Sequence, residues 1–248
     1  PAEAEASPAF PQTEGFCSVL MDISKRIAFI ASQTDGRTAA DIGCDHAYIA
    51  CLAVLKGKAQ KAYACDVAKG PLSHAVSTIE SCALQDRVIP VLSNGLENMP
   101  GDADQIIIAG MGGQLIADIL EACPEKTAAA KRLLLSPHKD PETVRQWLAA
   151  NGWAIEKEFV IEDGSFYPLI RAVKGCMKLE DWNCFYGIHV VQNEDAWNFL
   201  QDQKKRWTAI YEKTPEEKRE KARKRLEWIG QALGAYGQRE NGQNTPLV

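Results

Sequence analysis

The run Gln105-Ile106-Ile107-Ile108-Ala109 limits what this chain can fold into more than any other stretch. An apolar run without alternation suits a strand buried on both faces, and such a strand needs helices on both sides of its sheet. Short apolar segments recur at Thr38–Ile42, Ala62–Asp66, Val88–Leu92 and Arg132–Leu135. Helix-like segments lie around them. One spans about residues 21–33, with Ile23, Ile27 and Ile30 on one face, and a second spans Ala47–Leu55 and ends at Lys56-Gly57. A third carries Pro71 in its first turn and reaches about Ala83. A fourth runs from about Gly113 to Cys123, and a fifth spans Pro141–Ala149 before Asn151-Gly152. Trp153–Ile161 and Phe166–Val173 flank the Asp163-Gly164 turn and read as an antiparallel pair. Five strands alternating with helices, then a hairpin, predict a doubly wound α/β sheet, mostly parallel with an antiparallel last strand.

The character changes after about Gly175. Asp195–Tyr211 and Pro215–Leu233 are charged segments with Trp197, Leu200, Trp207, Ile210, Leu226 and Ile229 at helical spacing. They predict an antiparallel helix pair turned at Lys213-Thr214-Pro215. Three parts are expected: a disordered extension over residues 1–20, a sheet domain over 21–175 and a helical, coiled-coil-like module over 176–248. Met21 opens the first amphipathic segment, so the native start is expected there. The N-terminal stretch lacks the pattern of a secretory signal, and no apolar run approaches the ~20 residues of a membrane helix. The eight cysteines show no CxxC spacing, and none sits at zinc-ligand spacing from the four histidines. Reduced thiols, no metal, no membrane, a cytoplasmic setting and a monomer are therefore the expectations.

In open α/β sheets, ligands bind beyond the carboxyl ends of the strands. Those ends here are Asp41-Ile42-Gly43-Cys44-Asp45-His46-Ala47-Tyr48, then Asp66, Ser93-Asn94-Gly95, and Ala109-Gly110-Met111-Gly112-Gly113. Gly43 and Asp66 match the turn glycine and the ribose-binding acid of a dinucleotide site. The later glycines of that fingerprint are missing, and Asp41 and Asp45 would repel a pyrophosphate. The same carboxylates suit a nucleoside with a cationic tail and no phosphate, and S-adenosylmethionine is such a ligand. Taken singly, Asp41 or Asp45 reads equally well as a helix N-cap or a solvated loop charge, and Gly110–Gly113 as a tight strand-to-helix turn. Their conjunction with Asp66 carries the cofactor reading.

These motifs also carry a resemblance. Asp41-Ile42-Gly43-x-Asp45-His46-Ala47-Tyr48, Asp66-Val67-x-x-Gly70-Pro71-Leu72, Asn94-Gly95-Leu96 and Ile108-Ala109-Gly110-Met111-Gly112-Gly113, with Trp147 and Phe166-Tyr167, resemble the bacterial tRNA (adenine(22)-N1)-methyltransferase family. The likeness runs from Met21 onward; where the family usually continues Tyr-Leu-Pro, this chain has Tyr48-Ile49-Ala50. The resemblance implies a Rossmann-like methyltransferase sheet with a C-terminal coiled-coil-like helix pair, S-adenosylmethionine as cofactor and tRNA as partner. It implies methyl transfer to N1 of a D-arm adenine, at position 22. By position it implies that Asp41, Gly43, Cys44, Asp45 and His46 line the methionine part of the cofactor. Asp66 and Val67 would hold the ribose and border the adenine, Asn94 and Gly95 would flank the adenine, and Ala109, Gly110 and Met111 would lie between cofactor and target base.

N1 of neutral adenine has a free lone pair, so methyl transfer needs alignment more than a general base. Asp45 is the candidate for stabilising the cationic product, and His46 and Tyr48 for positioning the base; helix packing accounts for the last two as well. The Asn/Asp-Pro-Pro-aromatic motif of exocyclic-amine methyltransferases is absent, which favours a ring nitrogen. A net charge of −5 argues against non-specific affinity for nucleic acid. Residues 195–227 nevertheless hold ten basic and seven acidic residues, a net +3 that includes Lys204-Lys205-Arg206. By composition alone this is a solvated helix face; with the resemblance it reads as a tRNA contact. The residues leave open a methyltransferase of a small molecule or protein, and a non-catalytic RNA-binding protein with a vestigial cofactor fold. An NAD-dependent dehydrogenase conflicts with Asp41 and Asp45.

Overall fold

The computed structural model describes residues 23–240, so the expected extension over residues 1–20 and the start at Met21 lie outside the described residues. Seven strands form one sheet: β1 (Thr38–Ile42), β2 (Lys61–Asp66), β3 (Val88–Leu92), β4 (Gln105–Ala109), β5 (Arg132–Ser136), β6 (Trp153–Glu162) and β7 (Phe166–Lys174). Their order is β3-β2-β1-β4-β5-β7-β6, with the first five parallel and β7 antiparallel to both β5 and β6. The apolar run sits in the middle. Ile107 joins Leu134 in the core on one face, while Ile106 and Ile108 join Leu133 and Leu135 on the other, as the two-residue period of a strand requires. Prolines fall where the ladder tolerates them. Pro90 lies on β3 at the sheet edge, and Pro168 lies on β7 beyond its last β5 partner, the Leu135–Ile170 pair.

Helices α1 (Lys25–Ser32), α2 (Tyr48–Leu55) and α3 (Lys69–Ser81) contribute Ile30, Leu52 and Ile79 to the first core. Helices α4 (Gly113–Ala122), α5 (Pro124–Ala129) and α6 (Pro141–Ala150) lie between the later strands, and α4 and α6 contribute Ile116, Leu120 and Leu148 to the second. Helix α2 is apolar all round, and Ile49–Val54 are all buried, because α1 covers the side that the sheet does not.

Several expectations need correction. Strands and helices do not alternate strictly: residues 93–104 pass from β3 to β4 through turns without a helix, and two helices separate β4 from β5. Helix α5, unforeseen because it is only 6 residues long, starts at Pro124. Helix α2 starts one residue later than expected because Ala47 sits at φ +56°. Among the described residues no helix is long and apolar enough to cross a membrane. Cys44, Cys65, Cys123, Cys176 and Cys184 carry free thiols.

The C-terminal part consists of α7 (Asp181–Tyr186), also unforeseen, followed by α8 (Glu194–Lys213) and α9 (Glu220–Glu240). Helix α9 begins later than expected, since residues 216–218 form a single 3₁₀ turn after Pro215. Leu200 of α8, Ile229 and Ala232 of α9 and Tyr186 of α7 form a third, smaller core. Arg145 of α6 fastens this part to the sheet: it meets both oxygens of Glu158 on β6, at 2.9 and 3.0 Å, and donates to the Cys184 carbonyl at 2.8 Å. Lys25 and Asp195 tie α1 to α8 at 2.7 Å.

Candidate active site

From β1 the sheet grows outward to β2 and β3, and from β4 it grows the other way. A crevice therefore opens at the carboxyl ends of β1 and β4, where such sheets hold ligands. A pocket of about 320 Å³ lies there. It is lined by Asp41, Gly43, Cys44, Asp45, His46, Tyr48, Ala109 and Gly110, all singled out by sequence, and by Arg26, Ile27, Ile49 and His138, which were not.

The loop after β1 is tightly bent. Gly43 sits at φ +72°, and Asp45 and Ala47 are left-handed at φ +47° and +56°. Left-handed conformations at residues other than glycine cost of order 1–3 kcal/mol and cluster at functional sites. The N–H groups of Gly43 and Cys44 both donate to the Cys65 carbonyl, at 2.8 and 3.0 Å, which ties the loop to β2. A side chain at position 43 would collide with the end of Met111, so glycine lets the β1 and β4 loops meet. The Asp66 carboxylate accepts from the Asp45 N–H at 3.2 Å and from the Ala68 N–H at 2.9 Å. Each of its oxygens keeps a further lone pair.

Asp41 is only 2% exposed, so it is not a solvated loop charge. Its carboxyl accepts from the Ala50 N–H in the first turn of α2, a donor that a proline there would lack. Its Oδ2 is buried with no hydrogen-bond partner. Burial raises its pKa, the Ala50 N–H opposes the rise, and the nearby Asp66 charge adds to it, leaving the group at about 7. Burial, with Asp41 and Asp66 adding to it, also holds the Cys44 thiol protonated. Burial foremost pushes the Cys65 thiol up to about 12.

At the pocket mouth the His46 ring stacks on Tyr48, 5.1 Å between centroids and 8° between planes, and on His74, at 4.9 Å and 10°. Asp45, His46 and His74 bring one potential metal-binding atom each within 4.8 Å of the others, a cluster the sequence spacing did not reveal. The opposite wall is set by β5. The His138 backbone N–H donates to the Met111 carbonyl at 2.8 Å, and the His138 ring lies 5.0 Å from that of Tyr167, over which the Arg26 guanidinium sits at 4.9 Å. Burial, then the Arg26 charge, lowers the His138 pKa, which favours the neutral ring. Gly113 lets α4 start against the β5 loop, because a Cβ there would strike the Asp140 carbonyl.

The five remaining candidates do not line this pocket, and Asp66, described above, is one of them. Val67 is exposed after β2, Asn94 donates to Glu97 at 2.8 Å, Gly95 turns at φ +54° beside Ile119, and Met111 packs on Gly43. His138 was within reach of the sequence rule, since it follows the carboxyl end of β5 as the other site residues follow β1 to β4. Arg26 gave no signal, because a basic residue on an amphipathic helix reads as solvated.

The fold and crevice are those of a Rossmann-like methyltransferase, and a family model described as a methyltransferase domain matches residues 23–170. The tRNA (adenine(22)-N(1))-methyltransferase of Bacillus subtilis is 39% identical over 158 residues, which are 62% of this chain and 66% of that protein, just under two thirds. A Streptococcus pneumoniae structure, a candidate tRNA (m1A22) methyltransferase in complex with S-adenosyl-L-methionine, is 32% identical; the match covers 85% of this chain and 99% of that one, with a TM-score of 0.77. Mycoplasma capricolum TrmK in complex with S-adenosyl-homocysteine is 26% identical over 86% of this chain and 99% of that one, with a TM-score of 0.75. Within the methyltransferase class, the chain belongs to the tRNA (adenine(22)-N1)-methyltransferase family.

Proposed function

We propose that this chain transfers a methyl group from S-adenosylmethionine to N1 of an adenine in the D-arm of tRNA, position 22, in the cytoplasm. The observation that carries the reading is the buried Asp41 carboxyl, whose Oδ2 lacks a partner in a pocket it shares with Asp45. Such a site rejects a pyrophosphate and accepts an ammonium group, which would satisfy the orphaned oxygen by a charge-assisted hydrogen bond. The bare Gly110 backbone leaves room for the rest of the ligand.

Asp41 and Asp45 would receive the α-ammonium, with Gly43, Cys44 and His46 lining the methionine part. Asp66, fixed by two N–H groups, would offer its remaining lone pairs to the ribose hydroxyls. Val67, Asn94 and Gly95 would border the adenine, and Ala109, Gly110 and Met111 would separate the cofactor from the target base. When bound, the cofactor supplies a methyl group activated by its sulfonium. The protein's own task is orientation, which can contribute about 7–11 kcal/mol. His46 and Tyr48 line the pocket and would position the flat base, and Asp45, 3.8 Å from His46 Nε2, would offset the positive charge of the product. In this reading residues 21–175 bind the cofactor, and residues 176–248 supply the basic surface for tRNA phosphates.

Calorimetry on the whole chain tests the reading. Micromolar S-adenosylmethionine binding, lost in Asp66→Ala, with labelled methyl transfer to unmodified tRNA, is the expected result. Absence of cofactor binding by the wild type overturns it.

A further inference from the structure

A second cavity, of about 270 Å³, lies between the carboxyl end of the sheet and the C-terminal helices. Its walls include His138 after β5, Phe166 on β7, Gln203 and Trp207 on α8 and Arg225 on α9. His138 is also a wall of the methyl-transfer pocket, where its Nε2 faces Gly110. The two spaces therefore meet at one imidazole ring.

The lining narrows the class of occupant. Five aromatic rings, Phe166, Phe185, Tyr186, Phe199 and Trp207, line it, and the Arg225 guanidinium lies 3.4 Å from the centroid of Phe185 and 5.5 Å from that of Trp207. Arg145 and Glu158 border the cavity but are closed on each other and almost fully buried, so neither charge is left to hold an ion. The charges that remain, Glu142 and Arg225, are opposite. A phosphate or a metal ion finds no excess charge here, whereas a neutral planar ring with polar edges finds both stacking faces and hydrogen-bonding groups. The volume falls just below the roughly 300–1,000 Å³ of sites for larger ligands, which suits a single ring system.

We propose that this cavity receives the nucleobase next to the acceptor adenine in the RNA chain, with His138 as a wedge between the two splayed bases. The inference rests on the proposed transfer to tRNA. Extruding the acceptor unstacks its neighbour, and an aromatic seat for that neighbour offsets the loss.

Gln203→Trp tests this by filling the cavity from α8 without removing a buried side chain. Cofactor affinity by calorimetry and the thermal midpoint are measured first. Methyl transfer then follows on tRNA transcripts that are intact, or abasic at the nucleotide 5′ or 3′ of the acceptor. The variant is expected to keep cofactor affinity and Tm while kcat/KM for intact tRNA falls about 10- to 100-fold. The wild type should lose a similar factor on one of the two abasic transcripts, and the two losses should not multiply. Full activity of Gln203→Trp, or indifference to both abasic positions, overturns the inference and leaves the methyltransferase reading standing. No transfer by the wild type to intact tRNA overturns both. Should Gln203→Trp fold poorly, Phe166→Leu, which removes one ring face, is judged by the same readouts.

Discussion

Replacing Asp41 with asparagine separates the two tasks of its carboxyl. Its pKa is about 7 in the folded chain, against an ordinary 3.8. A raised carboxyl pKa means that the native state holds a proton that the unfolded chain releases. Its contribution to stability is therefore intact below the unfolded value and is lost as pH rises through about 7. Integrated between pH 5 and pH 8, that loss amounts to about 3 kcal/mol for this one group. Asparagine can still accept from the Ala50 N–H but does not titrate. Relative to wild type, the cofactor-free variant should gain about 3 kcal/mol over the same pH interval, or roughly 6–12 °C in midpoint for a chain of this size. Cofactor affinity should move the opposite way, falling about 10- to 100-fold at pH 8, because a charge-assisted contact of about 1.5–3 kcal/mol is removed. Thermal melts of both proteins at pH 5, 6, 7 and 8, paired with calorimetry, measure both effects. Parallel pH profiles, or unchanged cofactor affinity, would refute the reasoning.

Arg145→Met should leave Glu158 buried without a partner and destabilise the fold by about 3–5 kcal/mol in urea melts, with an apolar replacement of both residues recovering most of it. Gly113→Ala should lower the thermal midpoint, since α4 can no longer start against the Asp140 carbonyl; the expected loss is about 1–3 kcal/mol. Replacing the exposed Lys204, Lys205 and Arg206 with glutamine should raise KM for tRNA and lower the salt dependence of binding by up to about three counterions. Calorimetry should find their cofactor affinity unchanged.

The sheet was legible because its signals are local. Ile106–Ile108 demand burial on both faces whatever surrounds them, and Gly57, Gly152 and Gly164 punctuate the chain where it turns. The place of β7 between β5 and β6 was not legible, since a hairpin can dock on a sheet by either strand. Helices α5 and α7 have only 6 residues each, too few for a periodic signal. At the site, carboxylates and glycines at strand ends stood out because they interrupt apolar runs. Arg26 and His138 became site residues only through tertiary packing: one arrives on a helix from far along the chain, the other through the β5 loop bonded to Met111. The stack of His46 on His74 likewise depends on α3 lying beside the β1 loop, which no spacing in the sequence encodes.

The most direct measurement of the account is the position of the transferred methyl group. Incubating the protein with methyl-labelled S-adenosylmethionine and unmodified tRNA transcripts, then mapping the product, should find N1-methyladenine at position 22 alone. Label should vanish when that adenine is replaced by guanine. Label at another position, on an exocyclic amine, or undiminished by the replacement would contradict it.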